Sequence, residues 1–376
     1  MGPLLSSVPI VTVNREFLRL TVTIGTLVEK PVHLPVFLLR GAQNKAVPPY
    51  VCRGETLDID YLLLLQNLRA STGDALSPFF AAASKLTAGP VPLLLVMFVY
   101  WAFDRAAGKR IIGGFALSLY VNGLLKLIFC VYRPWIRDAR VEPYGDSKLT
   151  ATGYSFPSGH AAWATAPFGG TALWLRRNDR KVMAALLWTF VAVVLFSRNY
   201  LGVHTPQDVL VGLGVTLLAM WAIYKMEAWT DADPKRDLCV MVGGVALVAV
   251  TAAFFLLKSY PMDYAADGSL IVDPSKMVSD SLQGLGFLAG YVIARYFERR
   301  GFDFDRRMPS RSRIVCAIVA EVVLLGWVAA CMGPVRGLLG KNAAYLLLFF
   351  IAILYGMVVV PAVMGLVAKH VEKAAK

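Results

Sequence analysis

The stretch LCVMVGGVALVAVTAAFFLL, residues 238–257, runs for twenty residues without a charge. A helix of that length is about 30 Å long, the thickness of a bilayer's hydrocarbon core, so the stretch reads as a membrane-spanning helix. Eight further apolar stretches, bounded by charges, Pro or Gly, flank it at 75–103, 111–132, 158–175, 182–196, 205–224, 281–297, 314–332 and 343–368. The expected fold is therefore all-α: a polytopic transmembrane helix bundle of about nine spans. Gly pairs such as Gly113–Gly114 and Gly169–Gly170 let such helices approach closely.

The composition agrees. Of 376 residues 57% are hydrophobic and 17% charged, with a mean hydropathy of +0.58, which excludes an ordinary water-soluble globule, a disordered chain and a coiled coil. The net charge of +13 on a soluble protein would point to nucleic acid; among apolar spans it points to basic loops at a lipid bilayer, with no nucleic-acid partner. The five Cys are scattered without zinc-ligand or disulfide spacing and read as small packing residues.

Lys and Arg divide by side. One side collects Arg105, Lys109, Arg110, Arg176, Arg177, Arg180, Lys181, Lys225, Lys235, Arg236, the seven Arg from Arg295 to Arg313, and Lys369, Lys373 and Lys376. The other holds Arg137, Arg140, Lys148, Lys258, Lys276, Arg336 and Lys341. Cytoplasmic loops are enriched in Lys and Arg, so the first side is expected in the cytoplasm together with the C-terminus. Residues 1–56 lack a long apolar span and read as an N-terminal extension, poorly ordered or preceding the natural start. Residues 57–74 begin LDIDYLLLLQNLRA and read as an interfacial amphipathic helix, 75–228 as the catalytic core and 229–376 as additional C-terminal transmembrane helices.

Three short motifs fall at outer helix ends: Lys126-LIFCVY-Arg133-Pro134, then Pro157-Ser158-Gly159-His160, then Ser197-Arg198-NYLGV-His204-TPQ-Asp208. The alternation of spans brings all three to one face. Lys126, Arg133 and Arg198 are three cations beside two of the chain's four His, a set suited to a dianion. Arg supplies planar forks for phosphate oxygens, Lys a point charge, and the helix start at Ser158 and Gly159 adds backbone N–H groups. Phosphoryl transfer needs positioning and charge stabilisation, which this set provides without a metal or other cofactor. His204 is then the nucleophile and His160 the general acid and later base. Asp208, four residues on, can orient the His204 ring; Thr205-Pro-Gln-Asp208 also fits a helix capping box, and both roles require its two oxygens to divide the work. Trp135 can wall the site.

The pattern K-x6-RP, PSGH and SR-x5-H-x3-D resembles the signature of the type 2 phosphatidic acid phosphatase (PAP2) superfamily, which includes lipid phosphate phosphatases, glucose-6-phosphatase and vanadium haloperoxidases. The resemblance covers about residues 57–224, and all eleven signature positions are present. It implies a metal-independent phosphatase: Lys126, Arg133, Ser158, Gly159 and Arg198 hold phosphate, His160 protonates the leaving group, and His204 with Asp208 forms the phosphoenzyme. Nine spans disfavour the soluble haloperoxidases and depart from the six-helix lipid phosphatases, resembling instead the layout of glucose-6-phosphatase. The expected substrate is a lipid or isoprenoid phosphate or diphosphate, cleaved at the extracytoplasmic face of the plasma (inner) membrane. A water-soluble ester, phosphoryl transfer to another acceptor, and a non-enzymatic transporter or scaffold are the alternatives. Nothing in the sequence sets the oligomeric state.

Overall fold

A computed structural model describes residues 57–374 apart from 152, 266 and 302–307. The extension 1–56, with His33 and Cys52, lies outside the described residues. The chain runs through α1 (Leu57–Ser71), α2 (Ser77–Ala88), α3 (Val91–Phe98), α4 (Arg105–Phe129), α5 (Pro134–Arg137), α6 (Ser147–Thr150), α7 (Gly159–Ala164), α8 (Gly170–Arg177), α9 (Lys181–Tyr200), α10 (Pro206–Asp231), α11 (Arg236–Leu257), α12 (Pro274–Gly301), α13 (Ser310–Leu354) and α14 (Val360–Ala374). Single π-helical turns extend α3 over Val99–Phe103, join α7 to α8 over Thr165–Gly169 and join α13 to α14 over Tyr355–Val359. No strand forms among the described residues; one isolated bridge pairs Tyr264 with Leu270.

All nine apolar stretches fall on helices, but not all qualify as spans. Among the described residues five helical segments, holding six of the stretches, are long and apolar enough to cross a membrane, and there are six such segments if α2 and α3, bent by 58° at their junction, are one broken span. The last of the five is a continuous 61-residue segment, Ser310–His370, which covers two of the expected spans. Gly340, with φ 75° and ψ 168°, interrupts its helix, and the chain folds back there so that the Tyr355 hydroxyl reaches the Ala320 carbonyl. The helix from Gly159 to Arg177 and α12 are the two stretches that fall short.

For α12 the physical reason is its position. It packs against α4, α11 and α13, and Leu285, Phe287, Tyr291, Ala294 and Arg295 have no exposed surface. A helix enclosed by other helices faces no lipid and is free to carry polar groups. Two glycines permit the enclosure. A Cβ on Gly284 would lie 2.8 Å from the Leu119 backbone, and one on Gly286 would lie 2.3 Å from the Leu346 carbonyl oxygen. The outward faces of α10, α11 and α13 remain apolar, with Leu210, Leu218, Trp221, Val242, Val250, Leu256, Val315 and Val322 exposed.

The end of the bundle opposite the three motifs is tied by ion pairs. Arg295 donates to Glu227 (2.5 Å) on α10 and Asp237 (2.8 Å) on α11. Arg299 bonds Asp237 (3.0 Å) and Asp231 (2.6 Å). Arg105 and Lys109 of α4 reach Glu298 at 2.6 and 3.5 Å. Arg295 and Arg299 are thus not simply part of a positively charged loop, as their position in an Arg run implied; Arg295 is fully buried between carboxylates. A buried ion pair roughly balances its own desolvation cost, whereas a widowed carboxylate does not. Replacing Arg295 with Met is therefore expected to cost about 3–5 kcal/mol, visible as a lowered thermal midpoint in detergent. Arg300→Met, at an exposed site 3.8 Å from Asp237, is expected to cost less than about 1 kcal/mol. Equal midpoints for the two variants would contradict this assignment.

Candidate active site

The first motif ends α4. Lys126 lies one turn before Cys130, where the chain turns into the left-handed region (φ 49°) and the Cys130 N–H closes the helix on the Lys126 carbonyl. The Lys126 ammonium donates to the carbonyls of Tyr154 (3.1 Å), Ser155 (3.1 Å) and Pro157 (2.7 Å). An ammonium has three N–H groups, so all are used. In this structure Lys126 pins the loop before PSGH to α4. Asn122, one turn earlier, adds a bond to the Ser158 carbonyl (3.1 Å). The motif gave no hint of either contact.

The third motif is a hooked turn. The N–H groups of Val203 (3.1 Å) and His204 (3.2 Å) both bond the Arg198 carbonyl, and Gly202 takes φ 73°, which an L side chain rarely adopts. The hook delivers His204, 1% exposed, to the residue before Thr205, the N-cap of α10. Its Nε2 accepts from the Arg133 guanidinium at 2.8 Å, and its Nδ1 faces Asp208 Oδ2 at 3.3 Å. Guanidinium can only donate, so Nε2 carries the lone pair and the ring proton sits on Nδ1, toward the carboxylate. Burial, and next the Arg133 charge, hold the His204 pKa well below the ordinary 6.5.

Asp208 does combine cap and partner, but not by dividing its oxygens. Oδ2 alone accepts from the Thr205 N–H (2.9 Å), from the Ser155 hydroxyl (2.5 Å) and from His204. The capping box is completed by the Asp208 N–H on the Thr205 hydroxyl, at 3.4 Å. Ser155, outside the quoted motif positions, is 3.4 Å from His204 Nδ1 as well.

The second motif and Arg198 supply the open donors. Ser158 is anchored by its N–H on the Asp208 carbonyl (2.8 Å), yet its buried hydroxyl has no partner. Arg198, 1% exposed, gives Nη1 to the Ser84 hydroxyl of α2. Its Nε and Nη2 have no hydrogen-bond partner among the described residues. A buried guanidinium with two such donors is suited to bind an anion in a bidentate fork. Arg133 is committed differently: besides His204 it bonds the carbonyls of Val203 (3.0 Å) and Gly153 (3.1 Å), and its guanidinium lies 5.9 Å from the Trp135 ring centre.

His160 is half-buried and makes no side-chain hydrogen bond among the described residues; the charges of Arg198, Arg133 and Lys126 and the His204 ring all act on it. It opens onto a cavity of about 310 Å³ between α2, α4, α7 and α12, which Lys126, Asn122 and Trp163 also line. All eight residues expected at the site are brought together. Chemically, this is an imidazole with an oriented lone pair, a second imidazole, and buried cationic donors suited to an anion.

Comparison with known proteins agrees. Residues 107–231 match the model of the PAP2 superfamily. The chain is 28% identical over 215 residues to sphingosine-1-phosphate phosphatase 2 of Homo sapiens, covering 54% of this chain and 48% of that protein. It is 28% identical over 182 residues to the lipid A 4'-phosphatase of Porphyromonas gingivalis, 44% of this chain and 74% of that one. With the phosphatidylglycerophosphatase B of Bacillus subtilis the identity is 33% over 139 residues, 35% of this chain and 65% of that one. The chain spans about half the length of the two sphingosine-1-phosphate phosphatases it matches. No solved structure gives a significant match. The segment that matches the family model contains all three motifs, its folding brings them to one site, and over residues 107–231 this all-helical chain is similar to the PAP2 superfamily.

Proposed function

We propose that the protein is an integral membrane phosphatase that hydrolyses a lipid phosphate, as ester or diphosphate, at the extracytoplasmic face through a phosphohistidine. The observation that carries this is the His204 ring held between Asp208 at Nδ1 and Arg133 at Nε2, with the unfilled Arg198 fork in the same site. On phosphate binding Arg133 shifts its donation from His204 to a phosphate oxygen and frees the Nε2 lone pair. Nε2 then attacks phosphorus, the bond to the leaving oxygen breaks, and His160 gives that oxygen a proton. Water, losing a proton to His160, attacks the phosphohistidine and releases inorganic phosphate. Arg133, Arg198 and the Ser158–Gly159 segment stabilise the equatorial oxygens throughout, while Lys126 contributes charge and holds the loop.

The substrate class is supported by the relatives, whose names specify lipid phosphates, and by the apolar outer faces, which fit a lipid bilayer. The basic residues gathered at the helix ends opposite the site, among them Lys109, Arg110, Arg176, Arg177, Lys235 and Arg236, support this membrane side. The same rule puts the C-terminus in the cytoplasm. The α1 helix suits the outer interface: Ile59, Leu62 and Arg69 are buried against the site-side loops, and Leu57, Leu64 and Leu68 are exposed.

Replacing His204 with Ala is expected to lower phosphate release from a lipid phosphate by on the order of 10³ or more and to abolish acid-labile labelling by ³²P substrate. Retained turnover would sink the mechanism. Because the His204 pKa is depressed, the ring stays neutral as pH falls through 6.5, and its NMR titration midpoint is expected below that value. Arg133→Met removes a neighbouring positive charge, so the midpoint should rise; a downward or absent shift would contradict the Arg133–His204 contact.

A further inference from the structure

Resting on that phosphatase reading, we propose that Asp280 and Gln283 of α12 form a leaving-group subsite selecting phosphate esters whose alcohol carries a protonated amine. His160 is placed to protonate the leaving oxygen, so the alcohol must extend into the cavity that His160 lines. Three elements of the core supply part of that cavity: Thr87 from α2, Asn122 and Lys126 from α4, and Trp163 from α7. The remaining wall, with Asp280, Ser281 and Gln283, comes from α12, outside the residues 107–231 that match the family.

Several features make this wall a binding surface. Asp280 and Gln283 are half-buried, three residues apart and hence on one helix face. Neither side chain makes a hydrogen bond or ion pair among the described residues, whereas the neighbouring Asn122 amide is spent on the Ser158 carbonyl. The α12 helix is pressed onto α4 here, where a Cβ on Gly123 would meet Ser281 at 3.1 Å and one on Gly284 would meet Leu119 at 2.8 Å. The wall therefore cannot retreat from the cavity. A plain alkyl group would desolvate the carboxylate and the amide without pairing them, which penalises such a substrate. An ammonium on the leaving alcohol pairs with Asp280 in the cavity that His160 and Lys126 line, while its phosphate takes the unpaired Arg198 donors. Lys126, Lys276 and Lys341 are the cations whose charge reaches Asp280.

The test compares kcat/KM, measured as phosphate release by the full chain in detergent, for a long-chain 2-aminoalkyl phosphate and the alkyl phosphate of equal length. The wild type is expected to prefer the amine by about tenfold or more, the effect of one charge-assisted hydrogen bond. Asp280→Asn should bring the ratio to within about threefold of unity, and Gln283→Leu, read in the same way, should lower it by about threefold. A wild type without preference, or a ratio unchanged in both variants, overturns the proposal. Phosphate release from neither substrate by the wild type would instead defeat the phosphatase reading itself.

Discussion

One carboxylate oxygen organises the site. Asp208 Oδ2 accepts the Thr205 N–H that caps α10, the Ser155 hydroxyl of the loop before PSGH, and the Nδ1 side of His204. The start of a helix, the position of a loop and the tautomer of a buried imidazole are therefore one electrostatic event. A buried carboxylate needs such donors to remain charged, and each donor, being buried, needs the carboxylate. From this oxygen the rest of the site follows: the tautomer puts the lone pair on Nε2, Arg133 bonds it, and the Asp208 carbonyl fixes Ser158.

The cations divide their duties by what surrounds them. Lys126 has spent its three N–H groups on loop carbonyls, and Arg133 on a ring nitrogen and two carbonyls. Arg198 alone among the three is buried with two donors unmet. Three cations that look equivalent in a motif are thus a loop clamp, a partner of the imidazole and a guanidinium with two donors left over. At the other end of the bundle, the carboxylates around Arg295 and Arg299 hold α12 to α10 and α11. Such buried pairs fix register more than they add net stability, and the register of α12 decides which of its residues face the cavity.

Legibility followed the range of the interaction. Helix content, the three motifs and the proximity of their residues were readable because apolar length and helix alternation are local properties. The span count was not. α12 carries Arg295 and Glu298 because it is enclosed by protein, and mean hydropathy cannot separate an enclosed helix from one in water. Ser155 and Asn122 carry no signal in the sequence because their partners lie 53 and 36 residues away with no periodicity joining them. Arg295 looks like part of a basic run because Glu227 and Asp237 are 68 and 58 residues earlier.

The sequence by itself determined the helical class, the outline of a phosphate site and, through its basic residues, the expected sidedness. Each depends on composition and spacing within a span or a turn. Tertiary structure alone decided that Asp208 uses a single oxygen for two roles, that Arg198 holds the open fork, and that α12 completes the cavity beside His160. Those outcomes depend on which donors are already consumed by neighbours distant in the chain, and hydrogen-bonding capacity is apportioned only when the helices are packed.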